Sequence, residues 1–228
     1  GLSIALIRDA ECVWTRGYGV KNAETRDPIT TATVFPAASC SKPVAAYAAL
    51  KLCEDGILDL DRPLAAYLPD PFLPDEPRVK DITLRMVLSH TSGLNHSHRL
   101  QLLASPGKVF SYSTGGLVYM QRVMEQVTGM PFGRYMDENL LAPLGMRDSS
   151  FVWAERYEAQ AAYGHDRDGA SKDHDRSSHG NPGGTLLTHP ADYCKILNAI
   201  LRPQVPDEFL LGPENVEQML GRQTRLSG

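Results

Sequence analysis

The sequence lacks the features that mark three common classes of protein. Its 228 residues carry 23 Lys and Arg against 27 Asp and Glu without a basic stripe, which argues against a nucleic-acid partner. No apolar run approaches the length of a membrane span. The four cysteines show neither metal-ligand spacing nor the paired spacing of a disulfide framework; they are Cys12, Cys40, Cys53 and Cys194. The sequence therefore indicates no metal and no cofactor.

Cysteine usage and the start of the chain bear on its compartment. We interpret the cysteines as reduced, buried thiols, with Cys40 as a packing residue, which favours a reducing, cytoplasmic compartment. Gly1-Leu2-Ser3 is neither an initiator methionine nor a signal peptide. We therefore expect the chain to begin inside a longer gene product, so a periplasmic or secreted protein also fits. The sequence does not indicate an oligomeric state.

The pattern of apolar residues predicts a mixed fold. At 42% hydrophobic residues the chain is long enough to bury a sizeable core. Two strands are predicted over 2–7 and 12–15, and helices over 41–54 and 116–129, with another starting near 188–190. Two early strands followed by many helices favour an α+β fold, in which the helices form a lobe beside the sheet.

The most informative segment is Ser39-Cys40-Ser41-Lys42. A short apolar run leads into Ser39, and an alanine-rich helical pattern follows it. By chance an S-x-x-K pattern appears about once in a chain of this length. Ser105-Pro106-Gly107-Lys108 is a second copy, and its Pro-Gly pair marks a turn. Only the first copy opens a helix.

A helix start favours a nucleophilic serine. The first backbone N–H groups of a helix have no partner, and the helix dipole favours an alkoxide or a developing oxyanion there. Lys42 follows one turn later on the same face, and a lysine in a partly dry pocket can accept the Ser39 proton. The alternative is that Ser39 caps the helix and Lys42 is solvated, which is the commoner meaning of an isolated S-x-x-K pattern.

Three further segments accompany this motif. They are Phe110-Ser111-Tyr112-Ser113-Thr114-Gly115-Gly116 before a long helix, a short helix closed by glycine over 83–94, and the glycine turn Gly183-Gly184-Thr185 before another helix. In this order the set resembles the beta-lactamase-related serine hydrolases. That superfamily includes class C beta-lactamases, D-alanyl-D-alanine peptidases and beta-lactamase-like esterases. The resemblance runs from Gly1 to about Leu220.

The resemblance implies a fold and a division of the chain. The fold would be beta-lactamase/transpeptidase-like, with an antiparallel sheet flanked by helices and a helical lobe. Residues 1–60 would supply the first part of the sheet domain with the nucleophile helix. Residues 61–182 would form the mainly helical lobe, and 183–228 an incomplete return to the sheet domain.

The resemblance also assigns catalytic roles to three residues, and it places Thr114 at a substrate-binding position where this chain departs from the family. Ser39 matches the family nucleophile and Lys42 its partner lysine. Tyr112 matches the tyrosine of the family's Tyr-x-Asn element, whose phenol can pass a proton to the leaving group; by itself Tyr112 also fits a core or turn aromatic. Thr114 stands where the family's asparagine binds the substrate amide. The shorter threonine hydroxyl favours an ester or a small peptide-like amide over a beta-lactam.

A third family element is missing from the sequence. The family carries Lys-Thr-Gly or His-x-Gly on a strand lining the site, and the nearest spelling here is Arg167-Asp168-Gly169, in a polar turn. We therefore expect that strand beyond Gly228, where it would supply an oxyanion-hole donor. Residues 1–228 alone should then be inactive and prone to aggregate, because their first hairpin lacks partner strands.

Two classes of function remain open on the sequence. One is a serine hydrolase that acts through an acyl-enzyme on a small-molecule substrate; the other is a catalytically silent binding or regulatory relative. His90 is interpreted as structural. The stretch 164–176, rich in His and Asp, is interpreted as a solvated loop, because Ala170 occupies a ligand position of the calcium-loop pattern.

Overall fold

The computed structural model describes residues 1–97, 99–202 and 209–224. Its strands are β1 (Leu2–Arg8), β2 (Glu11–Tyr18), β3 (Phe35–Pro36), β4 (Gly164–His165), β5 (Ser171–Lys172) and β6 (Leu187–Thr188). Its α-helices are α1 (Ser41–Glu54), α2 (Leu84–Leu88), α3 (Gly115–Thr128), α4 (Phe132–Met136), α5 (Tyr157–Gln160), α6 (Pro190–Leu201) and α7 (Pro213–Leu220). Shorter turns of 3-10 helix lie at Ala38–Cys40, Leu64–Tyr67 and Pro77–Asp81, and a π-helical turn at Asp137–Leu141. The mixture is the α+β class that the sequence predicts.

The strands β1 and β2 pair as an antiparallel hairpin. Its two-residue turn, Asp9-Ala10, has φ values of 53° and 55°. Positive φ at both turn residues gives the twist that matches two strands. Leu2, Ile4 and Leu6 are exposed along β1, so the hairpin presents apolar side chains to solvent, as the sequence predicts.

One compact unit comprises the described residues of Gly1–Ser41, Gly133–Gly180 and Gly184–Leu210. Within it, α6 packs on both strands of the hairpin. Leu187 of β6 pairs with Pro36 of β3 and belongs to a buried core that includes Val34 and Tyr157. This core holds β3, which leads directly towards Ser39.

The other compact unit comprises the described residues of Lys42–Phe132, Asn181–Gly183 and Leu211–Gly228. Five apolar residues recur at helical spacing in its helix α3: Leu117, Met120, Val123 and Met124 are buried, and Val127 is half-buried. Gly129 ends α3 in a left-handed conformation with φ 66°, because glycine adopts that conformation without steric cost. The predicted helix and its glycine stop are confirmed. The division of the chain at residues 60 and 182 stays a prediction.

The helix α1 runs from Ser41 to Glu54 as predicted. Nearly every residue of its middle is buried: Val44, Ala45, Tyr47, Ala48, Ala49, Leu50 and Leu52. Small alanines allow neighbouring chain to pack closely on several sides of the helix. A helix buried all round is a rigid base for groups placed at its first turn.

The predicted helix over 83–94 is shorter than the sequence indicates. It begins after Thr83, whose side chain accepts a hydrogen bond from the Met86 N–H, and it ends at Leu88. Gly93 has φ 77° but lies five residues beyond the end. His90 is already left-handed at φ 55°, so the chain leaves the helix before it reaches the glycine.

The interpretation of the cysteines as buried thiols is wrong for two of the four. Cys12 and Cys40 are exposed, Cys53 is half-buried and Cys194 is buried, and all four are free. Cys12 lies on β2, and Cys40 ends the exposed 3-10 turn Ala38–Cys40. Burial raises the pKa of Cys53 to about 12, so this thiol stays protonated and inert.

Among the described helices, none is long and apolar enough to cross a membrane.

Candidate active site

Ser39 lies in the middle of the 3-10 turn Ala38–Cys40, directly before α1, and its side chain is exposed. Ala38 has φ 45°, a left-handed conformation that costs a non-glycine residue about 1–2 kcal/mol. Strained backbone of this kind is concentrated at functional sites, where the surrounding fold imposes it. The local geometry therefore presents Ser39 on a tight, strained turn at the start of a helix.

Hydrogen bonds to Leu186 and Tyr193 fix the backbone around Ser39. The Ala37 N–H donates to the Leu186 carbonyl at 2.8 Å, and the Leu186 N–H donates to Ser41 Oγ at 3.0 Å. The Tyr193 hydroxyl donates to the Cys40 carbonyl at 3.0 Å. Burial raises the pKa of Tyr193 to about 12, so its hydroxyl keeps the proton that it donates. Hydrogen bonds thus hold the turn both before Ser39, at Ala37, and after it, at Cys40 and Ser41.

Lys42 is the second residue of α1 and follows Ser39 by three positions. Its Nζ donates a hydrogen bond of 2.5 Å to the Gly183 carbonyl. The same Nζ lies 5.0 Å from the centroid of the Tyr112 ring, within the range of a cation–π contact. The structure therefore brings together two of the predicted catalytic side chains, Lys42 and Tyr112.

Thr114 stands at the N-cap position of α3, and its side chain makes no capping hydrogen bond. A Cβ placed on Gly183 would lie 3.3 Å from the Thr114 Cγ2 methyl and 2.8 Å from Asn181 Oδ1. Asn181 Oδ1 also accepts the Gly183 N–H at 2.6 Å. The predicted substrate-binding threonine thus lies beside the residue that accepts the Lys42 hydrogen bond. The close approach explains why a glycine occupies position 183.

A cavity of about 260 Å³ opens beside Lys42. Its apolar wall comprises Pro43, Ala46, Leu50, Leu60, Leu88, Leu117 and Met219. At its polar side Arg85 is held by Asp61 through two hydrogen bonds of 2.7 and 2.8 Å. The apolar side chains supply most of the lining, and Asp61 pairs with the charge of Arg85, so the cavity suits a short hydrocarbon group.

Asp148, His189 and Asp192 are the one described group with donor atoms close enough to hold a metal, within 4.8 Å of one another. Buried Asp192 already accepts hydrogen bonds from the Lys195 ammonium at 2.6 Å and from the Asp148 N–H at 3.0 Å. The His189 ring accepts the Asp192 N–H at 3.2 Å and caps α6. These contacts give the group a structural role at the start of that helix.

The segment 164–176 is mostly exposed and forms the short hairpin β4–β5. His165 Nε2 accepts the Ala23 N–H at 3.1 Å. His174 is half-buried, its ring centroid 4.1 Å from that of Tyr163 and 4.9 Å from that of Trp153. Burial lowers the pKa of His174. The interpretation as a solvated loop describes most of this segment but is wrong for His174.

Gly183 was not singled out as a site residue by the sequence. Its contribution is a backbone carbonyl, which leaves no side-chain signature, and it lies 141 residues from Lys42 along the chain. The one feature of the sequence that points to this position is the pair of glycines at 183 and 184. Paired glycines allow close approach of the backbone to another group, here the lysine and Thr114.

Known proteins with similar sequences and structures bear on the family. The family model named Beta-lactamase matches residues 1–226. Among curated proteins, Esterase EstB of Burkholderia gladioli is 32% identical over 191 residues, covering 67% of this chain and 47% of the esterase. The chain spans about half the length of the curated relatives it matches.

Two solved structures extend the similarity to the fold. The octameric penicillin-binding protein homologue from Pyrococcus abyssi has a TM-score of 0.83 at 26% identity, covering 98% of this chain and 56% of that one. The D-amino acid amidase from Ochrobactrum anthropi SV3 has a TM-score of 0.75 at 25% identity, with coverage of 94% and 67%. The predicted beta-lactamase/transpeptidase-like fold is confirmed.

Proposed function

This chain belongs to the Beta-lactamase family, and we propose that it is the nucleophile-bearing part of a serine hydrolase that works through an acyl-enzyme. Ser39 is the nucleophile, Lys42 its proton acceptor and Tyr112 the group that passes a proton to the leaving group. The observation that carries the proposal is the cluster in which Lys42 Nζ meets both the Gly183 carbonyl and the Tyr112 ring.

The contacts of Lys42 support a role in proton transfer. The hydrogen bond from its Nζ to the Gly183 carbonyl holds the Lys42 amine beside the Tyr112 ring. Tyr112 is 42% exposed, so a substrate can reach its phenol. Ser39 is exposed on a strained turn before the same helix that carries Lys42. Each of the three groups thus has the access or the orientation that its proposed role requires.

The proposed reaction has two steps. In acylation, Ser39 Oγ bonds to the substrate carbonyl carbon while its proton passes to Lys42, and the bond to the leaving group breaks. Tyr112 gives a proton to the departing alcohol or amine and is reprotonated by Lys42. In deacylation, water attacks the acyl-serine, the acid is released and the water proton returns to Ser39 Oγ. Proton transfer by placed groups of this kind is worth about 10²–10⁴ in rate.

We propose an ester or a small peptide-like amide as the substrate. Thr114 offers one short hydroxyl where an asparagine would offer an amide to bind the substrate's own amide. The mainly apolar cavity beside Lys42 suits a short acyl chain. The similarity to an esterase and to a D-amino acid amidase supports the same two substrate classes.

Lys42→Ala and Tyr112→Phe are each expected to lower kcat by about 10²-fold, because each removes one carrier of the proton. The measurement is turnover of a p-nitrophenyl ester by the complete protein in which this chain occurs. Lys108→Ala is the matched control, since Lys108 belongs to the second S-x-x-K copy. Circular dichroism reports whether each variant stays folded.

Two results would count against this scheme. Near-parental rates in both variants would show that neither side chain carries the proton. Absence of turnover in the parent, with the fold intact, would favour the catalytically silent relative.

A short acyl ester is expected to be hydrolysed faster than a chromogenic cephalosporin. The expectation follows from Thr114, which cannot reproduce the amide contact of an asparagine. A Thr114→Asn variant should lower the ratio of kcat/KM for the ester to kcat/KM for the cephalosporin, because the asparagine restores that amide contact. A parental cephalosporin rate well above the ester rate would contradict the proposed substrate class.

A further inference from the structure

His90 adopts an unusual backbone conformation next to the candidate site. Its φ is 55°, in the left-handed region that residues other than glycine rarely occupy, although His and Asn tolerate it better than most. The Thr91 N–H donates to the Met86 carbonyl at 2.7 Å, and the His90 N–H to the Val87 carbonyl at 3.1 Å. These bonds turn the chain sharply at the end of α2, so that His90 leaves the helix axis.

His90 contacts the 111–113 segment at three points. Its carbonyl accepts the Ser111 N–H at 2.8 Å, and its Nδ1 accepts the Ser113 N–H at 3.3 Å. Its ring lies over the ring of Tyr112, with centroids 4.6 Å apart and an interplanar angle of 39°. The two hydrogen bonds thus hold the backbone immediately before and after Tyr112, while the tilted His90 ring limits the Tyr112 side chain.

Ser113, which follows Tyr112, is also held by hydrogen bonds to the rest of the fold. Ser113 is buried, and its Oγ donates to the Asn95 carbonyl at 3.0 Å. The same Oγ accepts the Gly116 N–H in the first turn of α3 at 3.1 Å. A clamp with one fixed side on α3 and the other on the end of α2 can hold a loop side chain to within the small tolerance that proton transfer requires.

We propose that His90 is a positioning residue that holds the Tyr112 phenol in register with Lys42. The inference rests on the proposed function, because the role that it serves is proton transfer by Tyr112. It concerns the placement of Tyr112 and gives His90 no bond to substrate. It also replaces the interpretation of His90 as a purely structural residue at a helix end.

The clamp requires a neutral imidazole. An N–H can donate to Nδ1 only when that nitrogen carries no proton, so the ring proton sits on Nε2. Burial, and after it the charge of Lys42, lower the pKa of His90, which keeps the ring neutral near pH 7. Among the described residues, the other titratable or charged groups near His90 are His96 and Tyr112 at its ring and Arg85, which lines the same cavity. Protonation in acid would remove the acceptor and add a second cation beside Lys42.

Two substitutions separate the clamp from the backbone conformation. His90→Gly tolerates φ 55° but removes both the ring and the acceptor. His90→Asn tolerates that φ and keeps an acceptor atom near the position of Nδ1. In the complete protein we expect His90→Gly to lower kcat for an ester by about 10- to 100-fold with KM within about threefold, and His90→Asn to recover most of that loss. His96→Asn is the matched control, because His96 is exposed and its ring lies 5.5 Å from that of Tyr112.

A spectroscopic experiment tests the clamp without any measurement of catalysis. In protein labelled at the tyrosine Cζ carbon, the Tyr112 signal is identified by its loss in Tyr112→Phe. We expect that signal and the Ser113 amide signal to shift together as His90 titrates, with a midpoint below the ordinary histidine value of 6.5. The shared shift should persist in His96→Asn and vanish in His90→Asn.

The two arms distinguish failure of the clamp from failure of the proposed function. Signals of Tyr112 and Ser113 that ignore the His90 titration would overturn the clamp, and so would a His90→Gly enzyme with parental kcat. A parent protein without ester turnover, but with the coupled titration, would leave the clamp standing and remove only its catalytic purpose. Equal loss of kcat in the Gly and Asn variants would show that only the contact between the two rings matters, and would reject the hydrogen-bonded clamp.

Discussion

Replacement of Ser39 by alanine is expected to abolish ester turnover, with a fall in kcat of about 10⁴-fold or more. Removing the nucleophile of a covalent hydrolase eliminates the acyl-enzyme route and leaves only the contribution of binding and polarisation. Because Ser39 is exposed, the loss of its hydroxyl should change the free energy of unfolding by less than about 1 kcal/mol. Activity and stability should therefore separate cleanly in this variant.

Covalent labelling identifies the serine directly. A fluorophosphonate should form an adduct at Ser39 in the complete parent protein, located by mass spectrometry of its peptides, and none in Ser39→Ala. Ser105→Ala is the matched control, since Ser105 opens the second S-x-x-K copy in an exposed turn and should keep both label and activity. An adduct at Ser41 or Ser105 with Ser39 unmodified would refute the assignment.

Gly93→Ala is expected to destabilise the fold by about 3–4 kcal/mol. An alanine at φ 77° costs about 1 kcal/mol in conformation alone. The new Cβ would also overlap the carbonyl oxygen of Ala104, a backbone atom that cannot rotate away. The Gly93 carbonyl accepts the Leu103 N–H at 2.8 Å, so displacement of either segment breaks further contacts.

A second glycine isolates the clash from the conformational cost. Gly129 has φ 66°, and a Cβ placed there meets no atom within 4 Å. Gly129→Ala should therefore cost only about 1 kcal/mol. Urea unfolding followed by circular dichroism compares the two variants. Equal losses of stability would show that the packing of Gly93 against Ala104 contributes nothing.

Local signals in the sequence were enough to predict the helices that carry the site. Pro43 in the first turn and the apolar run that follows indicate α1, and Gly129 marks the end of α3. Both features depend only on residues a few positions apart, so they can be recognised in the sequence without knowledge of the fold. The serine turn followed by a lysine could be predicted for the same reason.

Contacts between distant parts of the chain could not be predicted in the same way. The sequence predicts that the helix ends at Gly93, whereas the chain turns at His90. The 111–113 segment supplies hydrogen bonds that hold this histidine in a left-handed conformation typical of glycine. The Gly183 carbonyl was missed because backbone atoms are identical at every position. Cys40 was predicted to be buried from residue type alone, and its place in the serine turn exposes it.

The bonds that fix the serine turn also set a time at which the turn can form. Ser41 Oγ accepts a hydrogen bond from the Leu186 N–H, 145 residues away in the sequence. Lys42 Nζ donates one to the Gly183 carbonyl, 141 residues away. At a synthesis rate of about 5–20 residues per second, roughly 7–28 s pass between translation of Lys42 and that of Gly183. During this interval the nascent chain carries Ser39, the proposed nucleophile, without the residues that bond its neighbours Ser41 and Lys42. The order of synthesis therefore delays any reactivity of Ser39 until both ends of the candidate site have been made.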